Sequence, residues 1–175
     1  QLLAKYALSE GKDPQSWAIG VKELWEVAPE KAKPGLVVHT AGWPMDRSAF
    51  GGGFLYHLEG NKVTLGYVVG LDYKNPYINP YQEFQRWKLH PEVKKYLEGG
   101  KCIKYGARAL NEGGYFAVPE LTFPGGVLVG CSAGFLNVAK IKGSSNAMES
   151  GILAAEEVFN ALKYSDLKPG SRITK

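Results

Sequence analysis

Residues 50–71 read FGGGFLYHL, then EGN, then KVTLGYVVGL. Two runs rich in β-branched and aromatic residues flank the turn Glu59-Gly60-Asn61, which predicts a β-hairpin. Side chains alternate across a strand, so Phe54 and Tyr56 share one face and Leu55 and His57 the other. Gly51, Gly52 and Gly53 lie inside the first strand, where each costs roughly 0.5–1 kcal/mol relative to alanine. Such glycines mark a bulge or the close approach of another backbone or a ligand.

Further strands flank the hairpin. Residues 16–27 alternate Trp17, Ile19 and Val21 with Ala18, Gly20 and Lys22, a half-buried strand. Residues 28–35 form a proline-bearing loop, and Leu36 to Thr40 a weaker strand. A turn follows over Gly42 to Asp46, where Pro44 pushes Trp43 out of helix geometry. After a loop at 72–79, Pro80 to His90 reads as a helix with Tyr81, Phe84 and Trp87 three apart. Pro91 begins a second helix with Val93, Tyr96 and Leu97 inward, stopped at Gly99-Gly100. An aromatic stripe at this spacing reads as core. Residues 102–110 form another strand, Asn111 to Gly114 a turn, and 115–118 a short strand ending at Pro119. Residues 1–10 read as the end of a helix stopped at Gly11.

A second organising stretch begins at Gly125. Val127 to Val129 is a short apolar run between glycines, a buried strand. Gly130 to Gly134 is small and turn-prone. From Gly143-Ser144-Ser145-Asn146 a helix runs with Met148, Ile152, Ala155, Phe159 and Leu162 on one face. Asn146 is its expected cap, with Glu149 as capping-box partner. A strand ending in glycines before a helix start lets N–H groups approach an anion or a cofactor carbonyl. A tight turn without ligand is the other reading.

The 175 residues are 45% hydrophobic and 22% charged, with a net charge of +4. That is enough chain for one substantial globular domain or one and a half small ones. The basic excess is spread out, without the stripe that nucleic-acid binding shows. Cys102 and Cys131 lie far apart, with no C-x-x-C and no histidine pair at ligand spacing, and read as reduced and metal-free. No apolar run reaches the ~18 residues a membrane helix needs, and no signal peptide is seen. The chain opens inside a helix-like segment and is expected to be a piece of a longer protein.

No catalytic constellation stands out. His39, His57 and His90 lack a serine or cysteine partner, and His57, among aromatics, reads as structural. Lys140 and Lys142 either face a pyrophosphate or are solvated. Cys131 has no histidine neighbour to make it a nucleophile.

Several stretches together resemble the electron transfer flavoprotein–ubiquinone oxidoreductase family. They are GWPMDR (42–47), GGGFLYHL (51–58), VVGLDY (68–73), EFQRWK (83–88), YGARALNEGG (105–114), LTFPGGVLVGCSAG (121–134), KIKG (140–143) and AMESGILAAE (147–156). The resemblance spans about residues 16–162. It implies a monotopic flavoenzyme on a membrane surface, mitochondrial inner or bacterial cytoplasmic, that passes electrons from electron transfer flavoprotein to ubiquinone. FAD and one [4Fe-4S] cluster are implied, with the cluster ligands outside this chain.

The implied fold is α+β: an antiparallel sheet with covering helices, joined to the closing strand–turn–helix of an FAD-binding α/β domain. Residues 1–119 would be mostly the quinone-binding domain, 120–163 the second FAD-binding segment and 164–175 a polar tail. The resemblance puts quinone at Gly51, Gly52 and Phe54, with Tyr56 as a second wall. It puts FAD at Asn111, Gly130, Cys131, Gly134, Phe135, Asn137, Gly143 and Ser144. Two positions depart from related patterns. Phe50 stands where the family often has tyrosine, and Cys131 where many flavoproteins have aspartate, so backbone must do more of the ribityl binding. Two other readings remain: a stand-alone binding or interaction module without redox activity, and a polyprenyl reductase. The second should lack GGGFLYHL and EFQRWK.

Overall fold

The structure is a computed structural model that describes residues 1–163. The expected polar tail, 164–175, lies outside the described residues. In chain order the elements are α1 (Leu2–Lys5), β1 (Trp17–Glu26), β2 (Val37–Ala41), β3 (Gly51–Leu58), β4 (Lys62–Gly70), α2 (Pro80–Lys88), α3 (Pro91–Leu97), β5 (Lys101–Asn111), β6 (Thr122–Phe123), β7 (Gly126–Val127) and α4 (Ser144–Lys163). The described residues form two compact units: Trp17–Leu110, and Gln1–Ser16 with 111–163.

The first unit is a five-stranded sheet in the order β2-β3-β4-β1-β5. The hairpin forms as its sequence indicates, antiparallel, with Leu55 opposite Leu65 and Phe54 opposite Gly66. β1 runs antiparallel to β4, with Val21 opposite Tyr67 and Glu23 opposite Leu65. This register gathers Leu55, His57, Val63, Leu65, Tyr67, Val69, Ile19, Val21, Glu23 and Trp25 on one face. Helices α2 and α3 cover that face. Leu55, Val63, Leu65, Tyr67, Val69, Phe84, Trp87, Val93 and Leu97 form one core. Fully burying each aliphatic or aromatic side chain contributes about 1.5–3 kcal/mol.

Both helices start on a cap followed by proline. Asn79 Oδ1 accepts the N–H groups of Tyr81 (3.0 Å) and Gln82 (3.2 Å), and His90 Nδ1 accepts that of Glu92 at 3.2 Å. These bonds satisfy N–H groups that have no intrahelical partner, and proline loses nothing at the first helical position. Phe84 and Trp87 are buried as expected. Tyr81 is 55% exposed, because it sits at the helix start beyond the edge of the core.

In the second unit, Tyr6 stacks on Phe123 at 5.2 Å, and Glu120 N–H donates to the Leu8 carbonyl at 2.7 Å. Gln15 Oε1 accepts the Gly113 N–H at 2.6 Å. Four local expectations change here. The opening helix is only Leu2–Lys5, and the chain turns at Ala7 (φ 52°). Residues 115–118 form a 3-10 turn, Tyr115–Ala117, after Gly114 at φ 74°. The expected strand at 127–129 shrinks to Gly126–Val127, since among the described residues its only ladder partner is Thr122–Phe123. Helix α4 begins at Ser144, so Asn146 lies inside its first turn and does not cap it. Its Nδ2 donates instead to the Phe135 carbonyl at 2.9 Å, tying the helix start to the preceding turn.

Candidate functional site

The glycines of β3 each meet a different neighbour. A Cβ on Gly53 would lie 2.4 Å from the Trp87 ring, and one on Gly51 would lie 2.9 Å from Met45 Cγ and 3.3 Å from the Tyr67 hydroxyl. Across the hairpin, a Cβ on Gly66 would lie 2.6 Å from the Phe54 ring. Side chains of the protein itself occupy these spaces, so packing returns much of what the glycines cost. Trp87 Nε1–H donates to Thr40 Oγ1 (2.8 Å), which also accepts the Gly53 N–H (3.2 Å). The Tyr67 hydroxyl donates to the Gly42 carbonyl at 2.6 Å, and burial pushes its pKa up to about 12.

Gly51 and Gly52 are neighbours in one strand and present opposite faces. The Gly51 side is the filled one. The Gly52 side is shared by Phe54 and Tyr56 and, through the β2–β3 register, by Val37, His39 and Ala41. Among the described residues no helix covers this face at β2, where Val37 is 57% exposed. Phe54 lies 5.0 Å from Tyr56, and His39 Nε2 is 3.2 Å from the Tyr56 hydroxyl. The result is an aromatic wall with polar tips. A Cβ on Gly52 would meet the Thr40 carbonyl oxygen at 2.6 Å, so only glycine keeps β2 this close.

Beyond the strand, Phe50 and Leu71 are both exposed (56% and 45%), as is Trp17 at 49%. Leu71 N–H donates to the Trp17 carbonyl at 2.8 Å, and a Cβ on Gly70 would lie 3.3 Å from Phe50 Cβ. These groups make an apolar rim at the Gly51 end of the sheet. At the other end His57 is buried. Its Nδ1 accepts the Lys33 N–H (3.1 Å), so the ring proton sits on Nε2, which has no hydrogen-bond partner. The ring stands edge-on to Tyr96 at 4.8 Å. Burial, then the Lys33 charge, holds its pKa below the usual histidine value.

Sequence reading passed over Glu23 and Lys88. Glu23 Oε2 accepts from Lys88 Nζ and Trp25 Nε1, both at 2.7 Å, with side chains only 6% and 12% exposed for Glu23 and Lys88. The signal was an acid in the otherwise apolar row Trp17, Ile19, Val21, Glu23, Trp25, a position that calls for a buried partner.

In the other unit a 3-10 turn over Gly130–Ala133 ends at Gly134, in the left-handed region (φ 81°). Gly130 also has positive φ, 57°, and its N–H donates to Ser150 Oγ at 3.0 Å. Phe135 N–H returns to the Gly130 carbonyl, and Asn137 bridges Lys142. Asn137 Oδ1 accepts the Lys140 N–H at 3.0 Å. The N–H groups of Gly134, Phe135 and Asn137 are thus bonded within the segment, and that of Gly130 is bonded to Ser150 of α4. The first turn of α4, at Ser144 beside Gly143, carries N–H groups that no helix can satisfy internally. Gly130, Cys131, Gly134, Phe135, Asn137, Gly143 and Ser144 lie on one segment, 130–144, that runs from the 3-10 turn through the Asn137–Lys142 bridge into the start of α4. Asn111, the last residue of β5, belongs to the same compact unit. Among the described residues, no three His, Cys, Asp or Glu side chains gather as a metal site.

The family model described as "ETF-QO, ubiquinone-binding" matches residues 17–110, the whole sheet unit. The chain belongs to the electron transfer flavoprotein–ubiquinone oxidoreductase family. The mitochondrial electron transfer flavoprotein-ubiquinone oxidoreductases of Sus scrofa and Homo sapiens are each 59% identical to it over 170 residues, 96% of this chain. The probable Saccharomyces cerevisiae enzyme is 59% identical over 163 residues, 93% of the chain. The chain spans only 28% of the pig and human proteins and 26% of the yeast one. Among solved structures, the flavin-dependent brominase Bmp2 superposes with a TM-score of 0.56 at 18% identity, over 85% of this chain and 37% of that one. The α+β fold read from the sequence is therefore shared with a flavin enzyme. No helix among the described residues is long and apolar enough to cross a membrane.

Proposed function

We propose that the chain is the central part of an oxidoreductase that passes electrons from reduced electron transfer flavoprotein to ubiquinone at a mitochondrial membrane surface. The observation that carries this reading is the match of the ubiquinone-binding family model to one self-contained sheet, Trp17–Leu110. In this reading the sheet unit receives the quinone, residues 120–163 supply the second FAD-binding segment, and [4Fe-4S] ligands lie elsewhere in the parent protein. The inner membrane is the expected location.

The quinone head group lies on the Gly52, Phe54 and Tyr56 face, at the backbone of Gly51 and Gly52. A quinone is flat, with a carbonyl at each end, and needs an apolar slot with few donors. Phe54 and Tyr56 give the wall, and the tips of Tyr56 and His39 lie beside it. The apolar rim of Trp17, Phe50 and Leu71 suits a monotopic contact with lipid at the same end of the sheet. The Gly130–Gly134 turn and the Ser144 helix start fit the flavin and ribityl chain. They offer positive-φ glycines without Cβ and the N–H groups of a helix start, which lie outside the intrahelical ladder. Bound FAD supplies the electron relay, and this turn holds and orients it.

The test uses the parent protein, with its flavin, in two assays: flavin reduction by reduced electron transfer flavoprotein, and ubiquinone reduction. Tyr56→Phe and Phe54→Leu leave the helix-covered core untouched. Ubiquinone reduction is expected to fall several-fold, through a higher KM, while flavin reduction is unchanged. If both fall together, or neither, the quinone does not bind on this face.

A further inference from the structure

Strand β5 closes the sheet on one side, with β1 as its only neighbour among the described residues. The opposite edge strand, β2, has five residues, whereas β5 has 11. A strand held from one side leaves about half its N–H and C=O groups without a ladder partner. The side chains of β5 are open as well. Tyr105 is 88% exposed and Ile103 39%, and a Cβ on Gly106 would touch nothing within 4 Å. Lys101, Lys104 and Arg108 are the kind of charges that guard an edge, but they do not cover the apolar groove beside it.

That groove, about 860 Å³, lies between β1, β5 and the start of α2, with Ile19, Trp25, Tyr81 and Tyr105 among its walls. The buried Glu23–Lys88 pair forms part of its lining. Gln85 also lines it, and its Nε2 is buried with no hydrogen-bond partner. A buried amide donor without an acceptor costs about 1–3 kcal/mol. Open backbone edge, apolar groove and orphan donor together call for an occupant that brings carbonyls and apolar side chains at strand spacing.

We propose that an extended segment of the parent polypeptide, from outside residues 1–175, adds a strand to the free edge of β5. It lays alternate side chains into the groove and offers an acceptor to Gln85. The source is the parent itself because the chain spans only 28% of its full-length relatives, leaving most of the polypeptide to supply such a segment. The inference rests on family membership and not on the electron-transfer reading.

Cys102, exposed on β5, is the natural reporter. In the full-length protein, hydrogen exchange resolved by peptide is expected to protect 101–110 as strongly as β1. Alkylation of Cys102, followed by peptide mass mapping, should be slower than in the urea-unfolded protein by roughly a hundredfold or more. Short amine cross-linkers should join Lys101 or Lys104 to lysines outside 1–175. Fast exchange with alkylation at the unfolded rate would overturn the proposal. So would protection that appears only at high protein concentration, which means a second copy, or only with added lipid or detergent, which means a lipid occupant. Flavin and quinone activities do not enter this test, so its failure leaves the functional reading standing.

Discussion

The sheet unit and the chain from Asn111 onward differ most in what they bury. In the sheet unit a nine-residue strand, β4, buries Val63, Leu65, Tyr67 and Val69 at 1% exposure or less, against Phe84 and Trp87. In the other unit the 20-residue helix α4 buries no residue at all. Its apolar face is intact in sequence, yet Met148, Ile152, Phe159 and Leu162 are 56–65% exposed. An amphipathic stripe indicates that a helix has an inward face, but what lies inward is set by the rest of the fold. The sheet carries its own core. Helix α4 carries half of one.

The most complete expected contrast concerns the cofactor. The isolated 175-residue chain should leave gel filtration colourless even after incubation with FAD, because in the proposed reading the turn and α4 supply only one wall of the flavin site. A yellow peak with stoichiometric flavin would end the distinction between the two units.

Stability should divide in the same way. Trp87→Ala removes the ring packed on Gly53 and the bond to Thr40, and should cost about 3–5 kcal/mol by urea unfolding of the isolated chain. Phe159→Ala in α4 should cost less than about 0.5 kcal/mol in the same experiment. Equal costs would mean that α4 has a core partner after all. Glu23→Gln leaves the Lys88 ammonium without its carboxylate and should cost about 3 kcal/mol. The double change Glu23→Met with Lys88→Met should recover most of that loss, which would separate desolvation of a lone charge from loss of packing.

The smallest expected effect is a pH slope. His57 has a folded pKa below its unfolded value near 6.5, so the unfolded state binds the proton more readily. The contribution of His57 is whole above about pH 6.5. It declines as the pH falls through that value towards the folded pKa. Unfolding free energies of wild type and His57→Phe, followed from pH 7.5 to 5, should show the shallower slope in the variant. Parallel slopes would place the acid sensitivity elsewhere.

How far the sequence could be read follows the range of the interactions. The hairpin was legible almost to the residue, since 50–58 and 62–71 became Gly51–Leu58 and Lys62–Gly70. Period-two alternation and a Gly-Asn turn are local signals. The meaning of the β3 glycines was not legible, because Trp87 fills the Gly53 face from 34 positions further along the chain. The Glu23–Lys88 pair was hidden for the same reason, spanning 65 positions. The strand expected at 127–129 and the exposed stripe of α4 share another cause. Their sequence patterns describe burial against surfaces that the described residues do not provide. The candidate flavin turn was visible from its glycines, but the bonds that Gly130, Phe135 and Asn137 make within it were not.

The most direct test is native-state hydrogen exchange on the isolated chain, comparing β4 amides from Val63 to Val69 with α4 amides from Met148 to Leu162. The β4 amides are expected to exchange only through global unfolding, with a steep dependence on denaturant. The α4 amides are expected to exchange orders of magnitude faster with little such dependence. Matching rates and slopes in the two elements would contradict the view of one complete core beside one half-built one.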